Sequence, residues 1–209
     1  MAKKQYLSKL ETRNDQVAPA ETSEILHLAS ECLKVQGDFI ELGCYRGDTS
    51  VLLGKLLRDQ DSSILPPKRL WIYDSFAGLP AKTPEDASGA GYNFQAGELL
   101  VTKREVIDKL HKNCIKNTIV KKAWFDQLTD PDLPSEIAFA FCDGDLYASI
   151  KTSLALVRPR LSKKGIIVVH DYNNPELPGS ARAVDEFLRS FPDFRLSVRY
   201  TLAILRKEC

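Results

Sequence analysis

Short, nearly unbroken apolar segments alternate along this chain with segments in which apolar residues recur at helical spacing. The first kind is typical of strands buried on both faces of a parallel sheet, and it covers residues 38–42, 69–73, 118–121, 137–142 and 165–170. The second kind predicts amphipathic helices over residues 22–33, 49–57, 101–111, 146–157 and 180–191. Residues 194–205 are expected to add a closing pair of strands. Together these elements predict a doubly wound, mostly parallel seven-stranded α/β sheet with helices on both faces.

One domain is the expected organisation. A chain of 209 residues can form one complete α/β core and is short for two. Residues 1–20 are predicted to form an N-terminal arm and residues 21–209 the domain itself. The first helix is predicted to begin near Thr22 and Ser23, because hydroxyl residues are favoured at helix N-caps. An arm of this kind often packs on a neighbouring subunit, so a homo-oligomer is an expected form.

Composition and charge narrow the range of partners. Lys and Arg number 29 against 28 Asp and Glu, whereas proteins that grip a phosphate backbone usually carry a basic excess. The five cysteines are widely spaced without a C-x-x-C pair, which favours reduced thiols in a reducing compartment. Neither a secretory signal nor a run of bilayer-spanning length is evident. We therefore expect a cytoplasmic protein with no nucleic-acid or membrane partner.

A glycine-containing loop follows the first predicted strand. In an open α/β sheet the ligand lies beyond the carboxyl ends of the strands, so this loop is placed to contact it. The loop lacks the G-x-G-x-x-G pattern of dinucleotide-binding proteins, and its E-x-G-x-x-x-G pattern instead resembles motif I of class I S-adenosylmethionine methyltransferases. In those enzymes the loop holds the methionine end of the cofactor. The predicted cofactor-binding residues here are Glu41, Gly43, Tyr45, Gly47, Thr49 and Ser50.

The second predicted strand is followed by Asp74 and Ser75. A carboxylate at this position can accept hydrogen bonds from both hydroxyls of a ribose. The alternative is that Asp74 only caps the turn that follows the strand. Because Asp74 comes together with the glycine loop, ribose binding is the favoured interpretation.

Three carboxylates and an imidazole follow two neighbouring strands. Asp143 and Asp145 come after the strand at 137–142, and His170 and Asp171 come at the end of the strand at 165–170. Mutual repulsion makes such a cluster costly unless its members share a cation or a proton, and a bound metal ion would explain it. Asp143 or Asp145 could alternatively cap the helix that follows, but all three acids are not expected to be caps.

The motifs after these strands resemble those of a known family, the macrocin O-methyltransferases of the TylF/MycF type. The likeness spans roughly residues 35 to 190. The motifs that carry it are Asp143-Gly-Asp145-Leu-Tyr147, His170-Asp171-Tyr172, Ala183-Val-Asp-Glu-Phe187, Glu41-Leu-Gly43 with Gly47, Asp74-Ser-Phe-Ala-Gly78-Leu-Pro80, Gly97-Glu98 and Trp124-Phe125.

The resemblance implies S-adenosylmethionine-dependent methylation of a small-molecule hydroxyl, often on a sugar of a secondary metabolite, with a divalent cation. By position, Asp143 and Asp171 would be metal ligands, Asp143 also lying beside the cofactor, and Asp145 would be the general base. Trp124 and Phe125 would border the adenine. Residues 80–97 would form a lid over the acceptor, consistent with the Gly and Ser residues of this segment.

His170 departs from the family, which usually has a second aspartate at this position. As a third metal ligand it favours manganese or iron over magnesium, which prefers six oxygen ligands. It could instead be the base of an enzyme without a metal, or be hydrogen-bonded to a neighbour with no role in chemistry.

Two alternatives for the function of the whole protein also remain. One is a hydroxylation or other group transfer on the same fold, and the other is a non-catalytic cofactor-binding subunit.

Overall fold

The computed structural model describes residues 16–59, 67–87 and 94–208. Within these ranges the chain forms five α-helices and seven strands, joined in places by short turns of 3₁₀ helix. The helices are α1 (Pro19–Glu31), α2 (Asp48–Arg58), α3 (Lys103–Lys112), α4 (Tyr147–Val157) and α5 (Pro178–Ser190). The strands are β1 (Asp38–Leu42), β2 (Leu70–Asp74), β3 (Thr118–Lys122), β4 (Ile137–Cys142), β5 (Leu161–Val169), β6 (Phe194–Arg199) and β7 (Leu202–Lys207).

All seven strands form one sheet in the order β3-β2-β1-β4-β5-β7-β6. Strands β1 to β5 are parallel, and β7 lies antiparallel between β5 and β6. This arrangement confirms the predicted fold class. The strand order reverses direction between β1 and β4, and a crevice at such a point is where open α/β sheets bind ligands.

The sheet is buried on both faces because the central strands are apolar at successive positions. Phe39 and Phe139 face one side, with their ring centroids 5.3 Å apart, where α1, α2 and α3 cover them. Ile40 and Ala140 face the other side, where α4 and α5 pack. Successive side chains of a strand point to opposite faces, so an unbroken apolar run supplies two core layers.

Two element boundaries differ from the prediction. Helix α1 begins at Pro19 rather than near Thr22, since proline suits the first position of a helix and Thr22 is buried one turn further on. Val17 is also buried, so packed structure extends into the region predicted as an arm; residues 1–15 lie outside the described ranges. Strand β5 begins at Leu161 instead of residue 165. The prediction started late because the exposed Lys163 and Lys164 interrupt the apolar pattern of the strand.

The helices of the described ranges include none that is both long enough and apolar enough to cross a bilayer.

Candidate active site

A cavity of about 490 Å³ opens at the carboxyl edge of the sheet, where the strand order reverses. Most of the residues predicted to form the site line this cavity. They are Glu41, Gly43, Tyr45, Thr49, Asp74, Ser75, Trp124, Phe125, Asp143, Asp145, His170 and Asp171. Gly47 and Ser50 are not among the lining residues; Gly47 directly precedes α2, and Ser50 donates a hydrogen bond to Glu41.

The glycines of the β1–α2 loop permit close packing and tight turning. A Cβ atom on Gly43 would lie 1.9 Å from the carbonyl oxygen of Asp143, so only glycine lets the end of β1 lie against the end of β4 here. Gly47 is the N-cap of α2, with φ at +74°, a conformation that glycine adopts without strain. Both glycines therefore have structural reasons that do not require a ligand.

Glu41 is a fully buried acid on the cavity wall. Its Oε2 accepts a hydrogen bond from the Ser50 hydroxyl, while its Oε1 has no hydrogen-bond partner among the described residues. Burial raises the pKa of Glu41 to about 8, against the smaller lowering effect of the Ser50 bond. A buried carboxylate oxygen without a partner is costly, so Oε1 is suited to bind a donor, above all a cationic one, from a ligand.

Asp74 holds the loop rather than standing free. Its Oδ2 accepts hydrogen bonds from the backbone N–H groups of Cys44 (2.9 Å) and Tyr45 (3.1 Å), and its Oδ1 accepts one from that of Phe76 (2.8 Å). A carboxylate offers about four acceptor positions, so one remains for a ligand hydroxyl. The turn-capping interpretation is therefore realised in the structure, and ribose binding through both hydroxyls would need Asp74 to give up one of these bonds.

The predicted acidic cluster assembles at the ends of β4 and β5. His170 Nδ1 lies 2.9 Å from Asp143 Oδ1 and 3.0 Å from Asp171 Oδ2, and the donor atoms of the three residues lie within 4.8 Å of one another. Asp145 and Asp171 have left-handed backbones, with φ of 58° and 61°, a region that aspartate tolerates better than most residues. Such turns at both strand ends bring the acids to the same side of the cavity.

Two members of the cluster, Asp145 and His170, have strongly raised pKa values. Burial raises the pKa of Asp145 well above its ordinary value, and the charges of Asp143 and Asp171 raise it further. Burial alone would lower the pKa of His170, but the Asp143 carboxylate and hydrogen bonds to Asp143, Asp171 and Glu21 hold it well above its usual range. Perturbed groups lining a cavity are typical of functional sites.

Glu21, a buried residue of α1, is a member of this group that the sequence did not reveal. Its Oε2 lies 3.5 Å from His170 Nε2, on the side of the ring opposite Asp143. The bond to His170 lowers the pKa of Glu21 to about 2 despite burial, and contacts with Thr201 add to this. Helical periodicity places Glu21 in α1 but cannot indicate which polar side chain reaches a site 149 residues away in sequence.

Asp143, His170 and Asp171 form a donor set that fits a divalent cation accepting oxygen and nitrogen together. Asp171 is further held by Asn174, whose Nδ2 donates to Asp171 Oδ1 at 2.8 Å. Asn174 also lines the cavity and was not predicted. Magnesium, which prefers oxygen ligands, fits this set less well than manganese.

Trp124 and Phe125 come at a turn after β3 and line the cavity. A Cβ atom on Gly144 would lie 3.2 Å from Phe125 Cε2, so this glycine lets the aromatic ring approach the acidic cluster closely. The adjacent Asp126 and Gln127 also line the cavity and were missed because no motif distinguished them.

The predicted lid, residues 80–97, is described at 80–87 and 94–97, whereas residues 88–93 lie outside the described ranges. Its first part is anchored. The buried Asp86 accepts hydrogen bonds from the backbone N–H groups of Tyr147 (2.7 Å) and Thr83 (2.9 Å), and Arg182 donates to the carbonyl of Glu85. Residues 83–86 are therefore held against the N-terminal ends of α4 and α5.

Comparison with known proteins places this geometry in a family. Residues 25–191 match the family model described as macrocin-O-methyltransferase (TylF), in agreement with the resemblance inferred from the motifs.

Among curated relatives, the demethyldecarbamoylnovobiocin O-methyltransferase of Streptomyces niveus is 29% identical over 163 residues, covering 75% of this chain and 60% of the relative. The 8-demethyl-8-(2,3-dimethoxy-alpha-L-rhamnosyl)-tetracenomycin-C 4'-O-methyltransferase of Streptomyces olivaceus is 30% identical over 145 residues, covering 66% and 54%. The chain thus spans somewhat over half the length of these relatives. The solved structure of the O-methyltransferase NovP superposes with a TM-score of 0.73 at 24% identity, covering 88% of this chain and 79% of that one, which supports the common fold.

Proposed function

Because the chain belongs to the macrocin-O-methyltransferase (TylF) family, we propose that it transfers the methyl group of S-adenosylmethionine to a hydroxyl of a small molecule. The observation that carries this proposal is one cavity that joins the unpartnered carboxylate oxygen of Glu41 to the acidic cluster of β4 and β5. The names of curated relatives refer to novobiocin and to a rhamnosyl tetracenomycin. A sugar hydroxyl of a natural product is therefore the acceptor class that we propose.

The cavity supplies partners for each part of the cofactor. Glu41 Oε1 would accept a hydrogen bond from the ammonium group of the methionine end, and the remaining acceptor position of Asp74 would bind a ribose hydroxyl. Trp124 and Phe125 would border the adenine. When bound, S-adenosylmethionine supplies a methyl group that its sulfonium makes electrophilic.

Asp145 is the proposed general base. Both ring nitrogens of His170 already face carboxylates: Nδ1 faces Asp143 and Asp171, and Nε2 faces Glu21. His170 is therefore poorly placed to take a proton from an acceptor. The Asp145 carboxylate would take the hydroxyl proton as the oxygen forms its bond to the methyl carbon. The carbon–sulfur bond breaks, and its electron pair stays on sulfur in neutral S-adenosylhomocysteine. Holding the two reactants in line lowers the barrier by up to ~7–11 kcal/mol in well-oriented systems.

A divalent cation, magnesium or manganese, would be held by Asp143, His170 and Asp171. The imidazole of His170 favours manganese. Such a cation lowers the pKa of an acceptor hydroxyl when bound. The residues of the chain would fix its place beside the base.

The proposal is tested by incubating the protein with S-adenosylmethionine deuterated in its methyl group and a panel of rhamnosides and other sugar-hydroxyl compounds. We expect mass spectrometry to find the deuterated methyl on an acceptor oxygen and S-adenosylhomocysteine formed in equal amount. A product that gains oxygen without label would indicate a different group transfer on this fold. Tight binding of S-adenosylhomocysteine with no transfer to any acceptor would favour a cofactor-binding subunit.

A further inference from the structure

His170 has a carboxylate against each of its two ring nitrogens. Nδ1 faces Asp143 and Asp171 at 2.9 and 3.0 Å, and Nε2 faces Glu21 at 3.5 Å. A histidine that ligates a cation is the neutral imidazole, with one N–H donor and one lone pair, and its hydrogen-bond partners decide which nitrogen carries the proton. Glu21, the partner of Nε2, therefore decides whether the lone pair lies on Nδ1, where Asp143 and Asp171 are.

The Glu21 carboxylate is held by hydrogen bonds from two directions. Glu21 Oε1 accepts hydrogen bonds from both the backbone N–H and the hydroxyl of Thr201, the former at 3.1 Å, and Oε2 accepts one from the backbone N–H of Ala18 at 3.2 Å. Thr201 lies in the turn between β6 and β7, whereas Ala18 precedes α1. Glu21 is buried, so its carboxylate has little freedom to turn away from the ring.

From this arrangement we propose that Glu21 is a positioning residue for the cation site: it accepts the Nε2–H of His170 and leaves the Nδ1 lone pair facing Asp143 and Asp171. Metal-ligating histidines almost always donate their other ring N–H to an outer partner, commonly a carboxylate. This inference rests on the proposed cation-assisted function. It concerns the departure of this chain from the two-aspartate pattern of its family, because an aspartate in place of His170 would need no such partner.

The same contacts specify what Glu21→Gln should do. The two donors of Thr201 at Oε1 outweigh the single backbone N–H of Ala18 at Oε2, so the amide oxygen takes the place of Oε1. The NH₂ takes the place of Oε2, where the bond from Ala18 is lost. It then donates to His170 Nε2 and drives the proton to Nδ1, where it blocks the lone pair. The variant keeps the size of the side chain, so its effect separates hydrogen-bond direction from packing.

The test is Mn²⁺ binding to the full-length protein, followed by electron paramagnetic resonance. We expect Glu21→Gln to weaken Mn²⁺ about 10- to 100-fold. Glu24→Gln on the same helix, whose carboxylate lies 4.0 Å from Arg199 instead of the site, should bind Mn²⁺ like the wild type. S-adenosylhomocysteine affinity, measured in the same samples, should be unchanged. Wild-type Mn²⁺ affinity in Glu21→Gln, or no Mn²⁺ binding by the wild-type protein at millimolar concentration, overturns the inference.

A measurement on the unaltered protein covers the case in which the variant does not fold. In the Zn²⁺-loaded wild type, long-range proton–nitrogen correlation spectra should show a proton on Nε2 of His170 and none on Nδ1; a proton on Nδ1 overturns the inference. The two proposals fail separately. Methyl transfer by a protein that binds no Mn²⁺ removes only the role of Glu21, whereas the expected Mn²⁺ pattern without methyl transfer removes only the proposed reaction.

Discussion

At the scale of single residues, Glu41 connects ligand binding to protonation. Burial raises the pKa of this acid to about 8, so near pH 7 it is mostly protonated in the free protein. A ligand ammonium beside Oε1 favours the carboxylate and lowers this pKa, so S-adenosylhomocysteine binding should release a proton. Calorimetry in two buffers of different ionisation enthalpy measures that release as a difference in apparent binding enthalpy.

The matched variant for this prediction is Glu41→Gln. It should abolish the released proton and weaken S-adenosylhomocysteine by about 10- to 100-fold, the range expected for a hydrogen bond between charged groups. An apparent enthalpy that is the same in both buffers for the wild type would show that Glu41 does not meet the ammonium group.

Asp145→Asn tests the assigned base. Asparagine tolerates the left-handed backbone at this position, where φ is 58°, so the loop should keep its shape. Loss of a general base typically costs ~10²- to 10⁴-fold, and we expect kcat to fall by about that factor while S-adenosylhomocysteine affinity stays within about twofold. Asp130→Asn, at an exposed acid that pairs with Arg160, serves as the control. Normal turnover in Asp145→Asn would mean that another group takes the proton.

The positions of the site residues were predictable from sequence only where strand order decides them. Asp143, Asp145, His170 and Asp171 follow two apolar runs, and parallel strands bring their carboxyl ends to one edge, so their meeting could be predicted. Glu21 and Asp86 reach the site region from elsewhere, and no local pattern distinguishes them from ordinary surface acids. The backbone bonds of Asp74 were also hidden, because they depend on the path of the neighbouring loop.

At the scale of elements, the first turn of α5 packs on the first turn of α4 through Gly179. A Cβ atom there would lie 1.9 Å from Asp86 Oδ1 and 2.8 Å from the backbone nitrogen of Tyr147. Gly→Ala in a helix usually stabilises by up to about 1 kcal/mol, but overpacking of this kind costs about 1–3 kcal/mol. We therefore expect Gly179→Ala to lower the free energy of unfolding, measured by urea denaturation.

Ala181→Gly in the same helix provides the reference, since it reports the intrinsic preference for alanine at a half-buried position. If Gly179→Ala is as stable as the wild type, Asp86 does not hold the start of α4 in the way described. The same result would weaken the conclusion that residues 80–87 are anchored.

Most elements could be predicted because their periodicity is undisturbed, as in β4, whose residues 137–142 are apolar and fully buried. The predicted element boundaries were wrong where something other than periodicity set them. Pro19 sets the start of α1 in place of the hydroxyl residues, and Leu161, which pairs with Ile137 of β4, starts β5 ahead of two exposed lysines.

At the scale of the whole molecule, the alternation of strands and helices fixes the class of sheet but not the exact order of its strands. Most of β1, all of β4 and the second half of β5 are buried at the centre of the sheet, while the cavity lies at its edge. A ligand that binds only the folded chain stabilises all of it. S-adenosylhomocysteine at 100 times its Kd should add about 2.7 kcal/mol to the free energy of unfolding.

For a chain of this size that increment corresponds to a rise in Tm of about 5–10 °C, measurable by differential scanning calorimetry. Glu41→Gln at the same ligand concentration should show a smaller rise. Equal rises in both proteins would place the ligand away from the cavity wall that Glu41 forms.

We propose that one cavity holds the methyl donor between the glycine loop and the acids of β4 and β5. A crystal structure with bound S-adenosylhomocysteine would decide this. We expect the amino group of the ligand against Glu41 and its sulfur facing Asp145. A ligand bound outside this cavity, or one whose sulfur turns away from Asp145, would contradict it.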